Sequence, residues 1–166
     1  MATDWDRLVR EQGPAVFGTA WRILRNAADA EEVVQEVFLE AHRMMKTRAI
    51  DRWGGLLRRV AVCRSLDRLR QRKPILPLDG VILTSNTDSP EAEAIGRELA
   101  ERLRQALAVL PDRESTVFCL RYFEDLGNDQ IAEVLGISSG AVAVAMHKAR
   151  AKLESQLTEV SKGETP

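Results

Sequence analysis

Apolar residues recur along this 166-residue chain at intervals of three and four, and nowhere alternate in the two-residue rhythm of a strand, so the pattern predicts an all-α fold. Trp5, Leu8 and Val9 mark a short first helix, which Gly13-Pro14 interrupts. Val16, Phe17, Ala20, Trp21 and Leu24 then form a stripe that ends near Asn26. Asp29 and Glu32 have the spacing of a variant capping box, in which each end of the pair meets a free backbone N–H. They predict the start of a helix with Val34, Phe38, Ala41 and Met45 on its core side and Glu32, Gln35, Glu36 and Arg43 towards the other. Past a polar connection from Lys46 to Asp51, Trp53, Leu56, Leu57, Val60 and Cys63 give a core-facing stripe on a helix whose remaining surface is mostly arginine, ending by Pro74.

The period is lost between Pro74 and Asp88, where prolines, a glycine and a Ser/Thr/Asn/Asp cluster read as a flexible linker, with a small buried turn at Val81 to Leu83 as the other possibility. Ser89-Pro90 restarts a helix in the preferred order, cap then proline. Leu99, Leu103, Leu107 and Leu110 line it up to Pro111. A further helix runs from about Asp112 to Glu124, with Val117, Leu120 and Tyr122 or Phe123 inward. Asn128 is placed to cap "DQIAEVL" and Ser138 to cap "SGAVAVAM". Between them Ala132, Gly136 and Val142 have the spacing of a helix-turn-helix: a small residue where helices cross, a glycine for the positive-φ turn, and an apolar anchor. The chain thus divides into small helical domains at 1–73 and 89–160, joined by residues 74–88 and followed by a frayed tail at 161–166.

Charge changes the picture through its distribution. The formal net charge of −1 argues against a general nucleic-acid coat, because non-specific binding rests on neutralising phosphates. It conceals an acidic segment, Asp29 to Glu40, beside a basic one, Arg43 to Lys73. Cys63 and Cys119 lack zinc or disulfide spacing and read as buried thiols of a reducing, cytoplasmic setting. No apolar run approaches the roughly 20 residues of a membrane span, so no membrane insertion is expected. His42 and His147 have no metal-ligand company. No nucleophile–base pair, carboxylate dyad or phosphate loop is present, so neither catalysis nor a cofactor nor a metal is expected.

Three segments in order carry a family resemblance. "LPDRESTVFCLRYFEDLGNDQIAEVLGISSGAVAVAMHKARAKL" resembles the C-terminal domain of bacterial extracytoplasmic-function sigma factors of the sigma-70 family. "DAEEVVQEVFLEAHR" resembles a helix of their N-terminal domain, and "LLRRVAVCRSLDRLRQRK" the promoter-melting helix after it. The resemblance implies a sigma region 2-like bundle and a region 4-like helix-turn-helix domain in a non-enzymatic transcription initiation factor. Such a factor is monomeric when free, and binds bacterial core RNA polymerase, promoter DNA and an anti-sigma factor. It implies polymerase binding by Glu32, Gln35 and Glu36, whose spacing shares one helical face. It implies contacts to the −10 region by Arg48, Arg52, Trp53, Arg58, Arg59, Arg64 and Arg68, of which Trp53 reads equally as a core residue. Cys63 departs from the family's usual asparagine, and Gly54-Gly55 from better helix formers.

For the −35 region the resemblance points to Asn128, Ser138, Ser139, Gly140, Ala143, Val144, His147, Lys148 and Arg150. Here the chain departs again: family members commonly carry Thr, Lys, Ser and Arg across the positions held by Ala141 to Ala145. Bidentate reading of guanine or adenine is impossible with these side chains, leaving contact with thymine methyls. Direct reading is therefore expected to be weak. Three accounts stay open: a grip on backbone phosphates and DNA shape, a protein-binding surface, or a degenerate domain. Two other functions fit parts of the chain, a stand-alone helix-turn-helix regulator and a sigma-like interaction protein that does not initiate transcription.

Overall fold

The computed structural model describes residues 3–72 and 90–163, which form seven helices and, among the described residues, no strand. The expected linker and the alternative turn at Val81 to Leu83 lie outside the described residues. Helix α1 (Trp5–Leu24) begins at Asp4, whose side chain accepts from the Arg7 N–H at 3.1 Å. It runs unbroken through Gly13-Pro14, where the sequence predicts an interruption. Pro14 lies on an exposed side, where the carbonyl it leaves without a donor is within reach of water. Burial of Val16, Ala20, Ile23 and Leu24 holds the rest of the helix in register. Arg25 closes α1 in the left-handed region at φ 52°. Its guanidinium stacks over Trp21 at 4.2 Å, a contact that helps offset the conformational cost.

Helix α2 (Ala27–Thr47) starts one turn earlier than the Asp29/Glu32 pair predicts. Asn26 is the cap, accepting from the Asp29 N–H at 3.0 Å. Asp29 instead sits in the first turn, where its charge suits the helix dipole. The buried stripe is Ala30, Val33, Val37, Phe38 and Ala41, so Val34 and Met45 are only half-buried.

Helix α3 (Trp53–Gln71) occupies the middle of the molecule. It packs against α1 and α2, and also against α4 (Pro90–Val109), α5 (Asp112–Tyr122) and α6 (Asn128–Leu135). Leu57, Val60, Ala61, Val62, Ser65, Leu66 and Leu69 are all buried, which at 100° per residue covers more than half of its circumference. The expectation of a single apolar stripe with an arginine-covered remainder is thereby corrected.

The second group of helices is completed by α7 (Ser139–Gly163), which continues past residue 161, where the sequence places a tail. In α4, Leu107 is buried but Leu99 is exposed, because most of the helix's first half extends beyond its neighbours. In α5, Val117 and Leu120 point inward, Phe123 just after it is half-buried, and Tyr122 is exposed. Asn128 is the first residue of α6 rather than its cap. The cap position is Gly127, whose N–H donates to Gln130 Oε1 at 2.9 Å. Gly136 turns the chain at φ 67°, and Ser138 Oγ accepts from the Ala141 N–H at 3.0 Å to start α7. Ala132 and Val142 are buried, as the spacing predicts, and so are Met146, Ala149 and Leu153. The angle between α6 and α7 is 106°, that of a helix-turn-helix.

Candidate nucleic-acid interface

The arginine helix and the acidic helix are laced together. Arg64 donates from Nε and a terminal nitrogen to Glu40 Oε2 at 2.8 and 2.5 Å. Arg68 reaches Glu36 at 2.5 Å and also pairs with Glu32, while Arg72 reaches Asp29 at 3.1 Å and the Leu24 carbonyl at 2.9 Å. These partners raise the Arg64 guanidinium (chiefly Glu40) and the Arg68 guanidinium (chiefly Glu36, then Glu32) above the ordinary arginine value. The cause is compositional: α2 presents carboxylates on successive turns, and α3 presents guanidiniums at the matching rise. Two groups that the sequence assigns to separate surfaces, Glu32 and Glu36 on one and Arg64 and Arg68 on the other, thus meet in a single seam.

What remains open on α2 is its outer side, where Glu32 and Gln35 are exposed and Leu39 is 59% exposed. At the other end of α3, Arg48 and Arg59 are exposed. Arg52 pairs with Glu133 of α6. Arg58 reaches Glu124 at 3.2 Å, and Arg22 of α1 reaches the same carboxylate at 2.7 Å. The Glu124 side chain is only 3% exposed. Trp53 stands edge-on to Trp5 at 6.2 Å, in a cluster with Phe38 and His42, so its ring is a packing element in this conformation. A cleft of about 450 Å³ separates Arg48, Arg52, Arg58 and Arg59 from Leu126 and Val134 of the helix-turn-helix unit.

Further along α3, Arg70 binds the Ala108 carbonyl at 3.2 Å, Ser115 Oγ at 3.1 Å and Asp112 at 3.0 Å. Arg104 of α4 donates from Nε to the Ile23 carbonyl at 2.7 Å. With Arg72 on Leu24, it places cations on the unsatisfied carbonyls at the C-terminus of α1. Burial lowers the Arg104 guanidinium from its ordinary value.

On the helix-turn-helix, most of the polar groups singled out in the sequence are engaged within the chain. Ser138 caps α7, and Ser139 Oγ donates to Asp129 at 2.6 Å. Asn128 Oδ1 accepts from Arg121 at 3.5 Å. Arg150 donates to Tyr122 Oη at 2.9 Å and lies over that ring. Gly140, Ala143, Val144, His147 and Lys148 are exposed along one side of α7.

The family model described as "Sigma-70 region 2" matches residues 8–75, and that described as "Sigma-70, region 4" matches residues 100–153. The chain belongs to the sigma-70 family. It is similar to the ECF RNA polymerase sigma factor SigW of Bacillus subtilis, with 29% identity over 87% of this chain and 84% of that protein. Its similarity to the ECF RNA polymerase sigma factor SigE of Mycolicibacterium smegmatis is 30% identity over 95% of this chain and 63% of that protein. The fold resembles CnrH in its complex with the cytosolic domain of CnrY, with a TM-score of 0.58, 24% identity, and coverage of 93% of this chain and 88% of that one. A second likeness is to the sigma factor RpoE in complex with the anti-sigma factor NepR from Bartonella quintana, with a TM-score of 0.52, 14% identity, and coverage of 95% and 98%.

This sigma factor is therefore a non-enzymatic transcription initiation factor of the extracytoplasmic-function group, working with core RNA polymerase and promoter DNA. No single helix among its described residues is long and apolar enough to cross a membrane. Sequence reading overlooked two features of its surface. Leu39 is a large apolar residue on the polar side of α2, a signal available in the pattern. Glu124 carries no such signal, because its arginine partners lie in helices remote along the chain.

Proposed function

We propose that this sigma factor binds core polymerase through the outer side of α2, with Glu32, Gln35 and Glu36 supplying polar contacts and Leu39 an apolar anchor. Residues 1–73 form the unit that holds polymerase and the −10 region, residues 89–160 the −35 unit, and residues 74–88 join them. Arg48 and Arg59 meet −10 phosphates directly. Arg52 and Arg58 join them once released from Glu133 and Glu124, and Arg64 and Arg68 act chiefly by bracing α2. Phosphate contacts position DNA, and base contacts specify it.

The observation that carries this reading is the double use of the α3 N-terminal half: its arginines face α6 and Glu124 across a narrow cleft. DNA and the helix-turn-helix unit compete for the same guanidiniums, so the arrangement described here is that of the free factor, and promoter binding requires the units to part. The near-zero net charge is consistent with poor DNA binding by the free chain. The setting is cytoplasmic, and an anti-sigma factor is a further partner, in keeping with the complex of the Bartonella quintana protein of like fold.

Run-off transcription from a promoter library with purified core polymerase tests the whole reading. Specific transcripts that depend on this chain are expected. Salt-sensitive duplex binding by the chain alone, with no transcripts, is the result that defeats it.

A further inference from the structure

The exposed side of α7 presents no hydrogen-bonding side chain between Gly140 and Val144, and His147 and Lys148 follow one turn later. Gly140, Ala143, Val144 and His147 fall on one side of its first turns, opposite the buried Val142, Ala145, Met146 and Ala149. Val144 is 55% exposed. The polar groups at the start of the helix are partly engaged within the chain: Ser138 Oγ accepts from the Ala141 N–H, and the Ser139 hydroxyl donates its proton to Asp129. Asp129 is an acceptor only and offers nothing to the N7 and O6 acceptors of guanine. Further along, Lys148 is exposed beside this face, Arg150 is held by Tyr122 Oη at 2.9 Å and Lys152 by Glu114 at 2.9 Å, and Glu154 is the one acid among residues 139–158, a balance of charge that suits a phosphate backbone.

We propose that Val144, with Ala143 beside it, selects thymine in the −35 segment by packing against C5 methyl groups in the major groove. This rests on the reading that α7 enters that groove. Thymine is the one base that presents an apolar group there, and the groove admits a single α-helix. An exposed valine gains by being covered with a methyl, whereas against guanine or cytosine edges it desolvates polar atoms and returns no hydrogen bond. The apolar residues that deny this helix bidentate readout therefore supply a different discrimination, narrow in the bases it recognises and modest in strength.

The test uses holoenzyme assembled from the full chain and core polymerase, with promoter duplexes captured from a library randomised across the −35 segment. Captured promoters are resynthesised with deoxyuridine at single thymines. Uracil keeps every donor and acceptor and lacks only the methyl. We expect thymine to be enriched at one or two positions, with complex formation about three- to five-fold weaker for each methyl removed there. Holoenzyme carrying Val144→Ala should show the same loss on thymine DNA and no further loss on uracil DNA. Val144 is exposed, so its truncation leaves the core intact. If the −35 segment stays protected in a footprint but uracil changes nothing, methyl reading is overturned while groove docking stands. If the segment is unprotected and Lys148→Glu is also silent, docking fails and this inference with it, and the face belongs to a protein partner.

Discussion

The Glu124 carboxylate, just beyond α5, lies 3.2 Å from the Arg58 guanidinium in α3, across the boundary between the two helical groups. Arg22 of α1 holds the same carboxylate at 2.7 Å. One acidic side chain thus joins two helices of the first group to the second. Both arginines remain more than a third exposed, so the gain is screened, and about 1 kcal/mol is the appropriate scale. Glu124→Gln should loosen the contact between the groups without unfolding either. Spin labels placed on α2 and α7 should report a larger population of long distances, and the free protein should bind single-stranded −10 DNA more tightly. Unchanged distances would mean that the apolar contacts alone hold the groups together.

Leu39 and Glu36 separate binding from bracing. Leu39→Ala, on the exposed side of α2, should lower core polymerase affinity about tenfold and leave the unfolding midpoint unchanged. Glu36→Arg should lower affinity sharply and also destabilise the fold, because it sets a like charge against Arg68 in place of the bond at 2.5 Å. Titration of labelled core polymerase, run beside thermal unfolding, checks both.

Ser65 is fully buried in α3, and its hydroxyl has no hydrogen-bond partner among the described residues. Leaving such a group unmet costs about 1–3 kcal/mol. Ser65→Ala removes the hydroxyl at little cost in volume, so a gain of about 1 kcal/mol is expected, or about 2–4 °C in Tm for a chain of this size. A lower Tm would mean that the hydroxyl has a water partner worth keeping.

Burial raises the thiol pKa of both Cys63 and Cys119, since desolvation disfavours the thiolate. The unfolded chain then ionises before the folded one. This contribution to stability is complete below the ordinary thiol value and is lost as the pH climbs from there through the folded values. Stability should accordingly fall on the alkaline side more steeply for the wild type than for Cys119→Ala, as read from urea midpoints between neutral and strongly alkaline pH. Iodoacetamide should label native Cys119 far more slowly than the unfolded chain.

The features legible in the sequence are those decided by neighbours along the chain. Ala132, Gly136 and Val142 make a turn whose requirements lie within a few residues, and Ser138 caps the helix it precedes, so the helix-turn-helix could be read directly. The acidic and arginine-rich helices were equally plain from spacing and charge. Local reading failed where two local signals competed. Asn26 and Asp29 both suit a cap, and Pro14 marks a break that buried neighbours in α1 override.

By itself, the sequence determined the chemistry of the helical segments: which residues are apolar at helical spacing, where the helix-turn-helix turns, and which helices carry acid or base. Only the tertiary structure decided the partners of those charges. Arg64 meets Glu40, Arg68 meets Glu32 and Glu36, and Arg58 meets Glu124, choices open to any nearby carboxylate until the helices are packed. The physical reason is range. Helix formation and capping are settled within a turn or two, whereas an ion pair depends on distances that exist only after burial has brought remote segments of the chain together.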